Sequence, residues 1–162
     1  MSAPTPTVEL SERALIGALL QDFDRAFPAC AGLSAESFAD ETCRKAWRVI
    51  EGLRSRRGGI VTLETVCETW GGDPAEALDA LAPLVENSPV AAFAPHYAER
   101  VKQAELRRGL HSAARMAVEA LSRGDAAEDV AAQLKAASEA VGGEGCGPEI
   151  AARDKAGLLI EG

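Results

Sequence analysis

The chain has 162 residues, 47% hydrophobic but only 4% aromatic, and its 17 Lys+Arg against 25 Asp+Glu leave a net charge of −8. That length is expected to give one domain, or one domain with an appendage. The acidic balance disfavours phosphate backbones and anionic membranes as direct partners.

Abundant alanine with few aromatics favours close-packed helices over sheets. The first helix is expected from about Glu9 to Gln21, where Leu15 with Leu19 and Ile16 with Leu20 are i,i+4 pairs beside Ala14 and Ala18. Gly17 interrupts it, at a cost of roughly 0.5–1 kcal/mol relative to Ala. The expected reason is a neighbouring helix that passes too close for a Cβ.

A loop through Pro28 and Gly32 leads to a second helical region, in which Cys43, Ala46, Trp47, Ile50 and Leu53 recur at helical spacing with Asp40 as N-cap. Phe38 and Trp47 are its large core candidates. After the basic turn LRSRRGG, Thr62 is expected to cap a short helix, Leu63 to Trp70. Asp73 as N-cap, Pro74 at N1 and Glu76 at N3 announce another. Pro83 and Pro89 predict that the stretch beyond is short and broken.

From about Pro95 to Leu121 the pattern is continuously helical, with Tyr97, Val101, Ala104, Leu110, Ala114, Ala117 and Leu121 near one stripe. Gly124 breaks it as a C′ residue, and Asp125 with Glu128 predicts a new helix start. The helix that follows, to Val141, carries Val130, Leu134, Ala137 and Val141 at seam spacing. The two form an αα-hairpin with arms of roughly 39 and 24 Å, the longer of which starts inside the head. Two arms of unequal length cannot cover each other's apolar strips. Leu106, Arg108, Val118, Leu121, Val130 and Leu134 are therefore the candidate interface residues. Leu134→Asp is expected to break packing within the hairpin, and Leu106→Asp or Val118→Asp to spare the fold while weakening association.

Residues 142–162 read as a flexible linker, GGEGCGP, and a short tail. The domain reading is a head over 1–94, a hairpin over 95–141 and this linker and tail.

No catalytic, cofactor or metal residues are expected. The chain lacks G-x-x-x-x-G-K-[ST], G-x-G-x-x-G and a nucleophile elbow. His96 and His111 do not stand at metal-ligand spacing, and Cys30, Cys43, Cys67 and Cys146 include no C-x-x-C pair, so reduced thiols are expected. Acidic residues fall at capping and solvent-face positions. Two basic clusters, Arg54 with Arg56 and Arg57, and Arg100 to Arg115 along the long arm, read first as a solvated face interleaved with Glu99 and Glu105, and otherwise suit an acidic partner or a neighbouring subunit. MSAPTPTVEL has no secretory character, and no apolar run reaches the roughly 18 residues of a membrane span, so a cytoplasmic place is expected.

Pro6 followed by ERALIGALL resembles the opening of the N-terminal domain of DnaB-type replicative DNA helicases. Phe38, Arg44, Trp47, Ile50 and Leu53 fall on that family's next helix, Thr65 and Val66 on its Thr-Val segment, and Leu81, Pro89, Ala91, Ala92, Tyr97, Val101 and Arg108 on the approach to its hairpin. The resemblance runs from Pro6 to Val141. Departures include Val8 at a capping Ser, Leu10-Ser11 for Glu-Ala, Ala39 for an aromatic, Cys43 for His, Thr62 for Asp and Phe93 for Asn. The resemblance implies an all-α fold, a head of about six short helices followed by a long αα-hairpin. It also implies a collar in which subunits pair as dimers within a hexamer, and which recruits primase and, in some systems, a loader. ATP and Mg would belong to a motor domain carrying the phosphate loop that this chain lacks, and DNA would be met only indirectly. The alternative reading is a free-standing helical adaptor or regulator of a helicase or primase.

Overall fold

The computed structural model describes residues 7–142, so Pro6, Cys146 and the 143–162 linker and tail lie outside the described residues. Among the described residues every regular element is helical: α1 (Val8–Gln21), α2 (Phe23–Ala26), α3 (Glu41–Ser55), α4 (Leu63–Thr69), α5 (Pro74–Glu86), α6 (Ala94–Ser122) and α7 (Ala127–Gly142), with three 3₁₀ turns between them. The all-α expectation holds.

Caps set the starts. Thr7 accepts from the Leu10 N–H ahead of α1. Asp40 accepts from the Cys43 N–H at 2.9 Å ahead of α3. Thr62 and Thr65 form a reciprocal capping box on α4, and Asp73 with Pro74 at N1 opens α5. Each of these satisfies N–H groups that a helix start leaves without an intrahelical partner.

The structure differs from the sequence reading at Pro83. Far from breaking the helix, α5 runs through it to Glu86. Proline removes the N–H that would bond the Asp79 carbonyl, but Asp79 and Pro83 both face solvent, so water can serve that carbonyl. Leu84, the residue after that proline, is buried, and Asn87 Nδ2 donates to the Pro83 carbonyl at 2.8 Å to close the last turn.

The chain divides into two compact units, one up to Glu105 and one from Leu106. The division falls inside α6 because Ala94, Ala98 and Val101 belong to the first unit's core. In that unit α1 is central and packs against α2, α3 and α5. Leu15, Ile16 and Leu19 of α1, Ile50 of α3, Val66 of α4 and Leu81 of α5 are all fully buried. Each of these large apolar side chains contributes ~1.5–3 kcal/mol by leaving water. Trp47 stands between Phe38 (centroids 5.3 Å apart) and Phe27 (6.4 Å), with Phe23 stacked beyond at 4.8 Å.

Gly17 has the role its position suggests. A Cβ there would strike the Leu84 carbonyl and lie 2.6 Å from Ser88 Cβ. The same junction is tied by Ser88 Oγ donating to the Ala14 carbonyl (3.0 Å) and Gln21 Nε2 donating to the Val85 carbonyl (2.8 Å).

Glu12 corrects the expectation that acidic residues sit at local caps and solvent faces. It is fully buried, and its carboxylate accepts from the N–H groups of Ala39 (2.9 Å) and Asp40 (2.8 Å), so α1 holds the start of α3 by a long-range cap. Arg13 Nε lies 3.3 Å from Asp40 Oδ2 beside it.

In the second unit, Gly124 adopts φ +89° while its N–H donates to the Leu121 carbonyl and the Asp125 N–H donates to the Ala120 carbonyl, a Schellman closure of α6. α7 then starts at Ala127, one residue later than a box on Asp125 predicts, and the Asp125 carboxylate accepts from Arg123 at 3.2 Å. Gly109 of α6 faces Val141 of α7: a Cβ on Gly109 would lie 3.0 Å from both Val141 methyls. The two arms therefore run back along one another.

Candidate interaction surface

The face of α6 turned toward its partner arm is the row Leu106, Gly109, Ala113, Ala117 and Ala120, spaced i,i+3,i+7,i+11,i+14; Ala120 is buried and the others are half-buried. Small residues let two helix backbones approach closely, which is why this row packs. The stripe expected from the sequence departs from it in this half of the helix. Tyr97, Val101 and Ala104 do turn inward, but Leu110, Ala114 and Leu121 are exposed.

Leu110, Ala114, Val118 and Leu121 are spaced i,i+4,i+8,i+11 and form a second apolar row, about a quarter turn around α6 from the first. Val118 is 63% exposed and Leu121 51%, and Met116, at 67%, adds further apolar surface. On α7, Leu134 keeps 39% of its surface, whereas Val130 is buried. Of the six candidate interface residues, then, Val118 and Leu121 share one open row and Leu134 is partly open on the other arm. Leu106 is half-buried on the Gly109 row, Arg108 is half-buried, and Val130 is enclosed within the hairpin. Leu110 and Met116 add to the exposed apolar surface beyond those six. Their signal was the Gly-Ala-Ala-Ala row at 109, 113, 117 and 120, which, read as the packing stripe, leaves the larger residues outside.

The polar side of α6 carries His111, exposed, and Arg115, whose guanidinium is 4.0 Å from Glu119. Among the described residues no group of His, Cys, Asp and Glu could hold a metal ion. The described cysteines are buried and free. Burial pushes the Cys30 thiol up to about 12, against a smaller lowering by Lys102. Burial also raises Cys43, and the carboxylates of Asp40 and Glu12 add to it. Such thiols are unreactive spacers in a core. No helix among the described residues is long and apolar enough to cross a membrane.

The model of the DnaB-like helicase N-terminal domain matches residues 5–103, which is the whole described first unit apart from its last two residues. This chain belongs to the DnaB-like helicase N-terminal domain family. The crystal structure of the N-terminal domain of DnaB helicase from Mycobacterium tuberculosis superposes with a TM-score of 0.67 at 21% identity, covering 80% of this chain and 94% of that one. At that identity the likeness concerns the fold. No curated protein matches the chain. The family match stops at the residues that build the head of this DnaB-like domain, so the open row at Leu110 to Leu121 lies beyond it.

Proposed function

We propose that this DnaB-like N-terminal domain is the collar of a replicative helicase, acting in the cytoplasm through protein contacts in DNA replication. Its hairpin joins copies of the chain into dimers and a hexameric collar, and presents a surface for primase and for a loader. The observation that carries this reading is the open row of Leu110, Ala114, Val118 and Leu121 on a helix whose other apolar row is already used. Contiguous apolar surface on a soluble element is characteristic of an interface. The family adds the setting, a helicase N-terminal domain.

The domain works without cofactor. ATP and Mg belong to a motor that would carry its own phosphate loop, and the purified chain should hydrolyse no ATP with or without single-stranded DNA. Partner binding is tested by titrating the primase of the same organism against the chain in a calorimeter. Saturable binding that Val118→Asp/Leu121→Asp weakens supports the collar reading; an absence of heat at concentrations up to the solubility limit counts against it.

A further inference from the structure

The head is electrically divided. Residues 41–59 carry six Lys or Arg and two Glu, a net +4, whereas residues 60–95 carry six Asp or Glu and no Lys or Arg, a net −6. Four of the six cations are occupied within the chain. Arg44 donates twice to the Phe38 carbonyl, Arg48 pairs with Glu36 at 3.4 Å, and Lys45 and Arg54 lie over the rings of Trp70 and Phe27. Arg56 and Arg57 are exposed and make no ion pair among the described residues.

Their presentation is fixed by the backbone. The Arg56 N–H donates to the Leu53 carbonyl (3.2 Å) and the Gly59 N–H to the Arg56 carbonyl (3.0 Å). Gly58 sits at φ +75°, a conformation favouring glycine, and a Cβ on Gly59 would strike the Leu53 carbonyl. Ile60 follows, 69% exposed, with its carbonyl held by Thr65 Oγ1 at 2.8 Å. The result is a rigid basic knob with an apolar neighbour.

The outer face of α5 is its complement. Asp79 and Glu86, i and i+7 on one face, are exposed and make no ion pair among the described residues; Leu78 beside them is 47% exposed. We propose that the Arg56–Arg57 knob of one head docks on the outer face of α5 in a second copy of the chain. Knob against knob and α5 against α5 both repel, so charge selects a contact between the knob of one copy and α5 of the other, made reciprocally in a two-fold dimer or successively around a ring. Exposed pairs are individually weak and are screened over about 8 Å at physiological salt, so the contact is salt-sensitive and acts alongside another interface. The proposal rests on the collar reading above.

Sedimentation equilibrium separates the two. The reagents are wild type, Arg56→Glu/Arg57→Glu, Asp79→Lys/Glu86→Lys, and an equimolar mixture of the two variants, each at 50 and 500 mM salt. None of the four side chains is buried or caps a helix, and circular dichroism confirms folding. Each variant alone should associate at least about tenfold more weakly than wild type at low salt. The mixture should regain wild-type strength, because each acidic knob then meets a basic α5 and each basic knob an acidic one. High salt should remove the difference. A monomeric wild type at all concentrations overturns both the collar reading and this contact. Wild-type association unchanged by either variant, or a mixture no stronger than its components, overturns this contact alone. So does a fluorescence-anisotropy titration in which Arg56→Glu/Arg57→Glu abolishes binding of a labelled single-stranded oligonucleotide while self-association is unaffected, which would assign the knob to nucleic acid.

Discussion

Gly17 in α1 and Leu84 in α5 meet backbone to backbone: the space a Cβ would take at Gly17 is filled by the Leu84 carbonyl and by Ser88 Cβ, 2.6 Å away. The obstruction is main chain, not a mobile side-chain tip, so it cannot be relieved by a rotamer change. Gly17→Ala should therefore destabilise the fold, the ~0.5–1 kcal/mol gain in helix propensity being smaller than the roughly 1–3 kcal/mol of overpacking. Gly17→Leu should cost more still. Urea midpoints check the order wild type, Ala, Leu; an alanine variant at or above wild type would contradict a backbone contact between α1 and α5 at this position.

Ser11 offers the opposite experiment. Its hydroxyl is fully buried and makes no hydrogen bond among the described residues. A buried polar group without a partner costs about 1–3 kcal/mol, and alanine is also the better helix former. Ser11→Ala should raise the denaturation midpoint by an amount equivalent to about 1 kcal/mol. A lower midpoint would show that the hydroxyl has a partner in solution.

Asp40 gives a pH signature. Burial alone would raise its carboxyl, but the Cys43 N–H and the Arg13 guanidinium outweigh that and hold it below the usual 3.8. A carboxyl lowered in the folded state binds fewer protons there than when unfolded, so its stabilisation is present above the unfolded value and lost as pH falls through the folded one. Asn is also a good N-cap, so Asp40→Asn isolates the charge. The stability advantage of wild type over Asp40→Asn should be constant above about pH 5 and shrink below about 3.8. An advantage independent of pH down to 2 would contradict the account.

The buried thiols should be inert. With its thiol at about 12, Cys30 is thiolate in only about one molecule in ten thousand at pH 8. In the native chain, peptide mapping after brief iodoacetamide treatment should find Cys30 and Cys43 unmodified, and denaturant should expose both. Rapid native labelling of either would place it outside the core.

Much of the head was legible in the sequence because its signals are local. Asp40, Thr62 and Asp73 cap the helices that their residue types announce, Pro74 opens one at N1, and Gly17 alone signals a close contact. What was illegible depended on distant chain. Pro83 reads as a break from its neighbours alone; the buried Leu84 and the Asn87 cap carry the helix past it. Glu12 reads as a surface acid by residue type, although it lies three and four residues before Leu15 and Ile16 on the apolar face, and its carboxylate accepts from N–H groups more than 25 residues away. In the hairpin, weighting residues by size favoured Leu110 and Leu121 as the packed stripe, whereas close approach at Gly109 selects the small residues.

The collar function proposed for this chain requires that the open row on α6 join its copies. Sedimentation velocity from micromolar to near-millimolar concentration, on wild type and on Val118→Asp/Leu121→Asp, tests it most directly. Both side chains are more than half exposed, so the variant should keep the helical circular dichroism and unfolding midpoint of wild type. Wild type should shift to dimers or larger species as concentration rises, while the variant stays monomeric. A wild type that remains monomeric throughout, or a folded variant that associates as wild type does, would contradict the account.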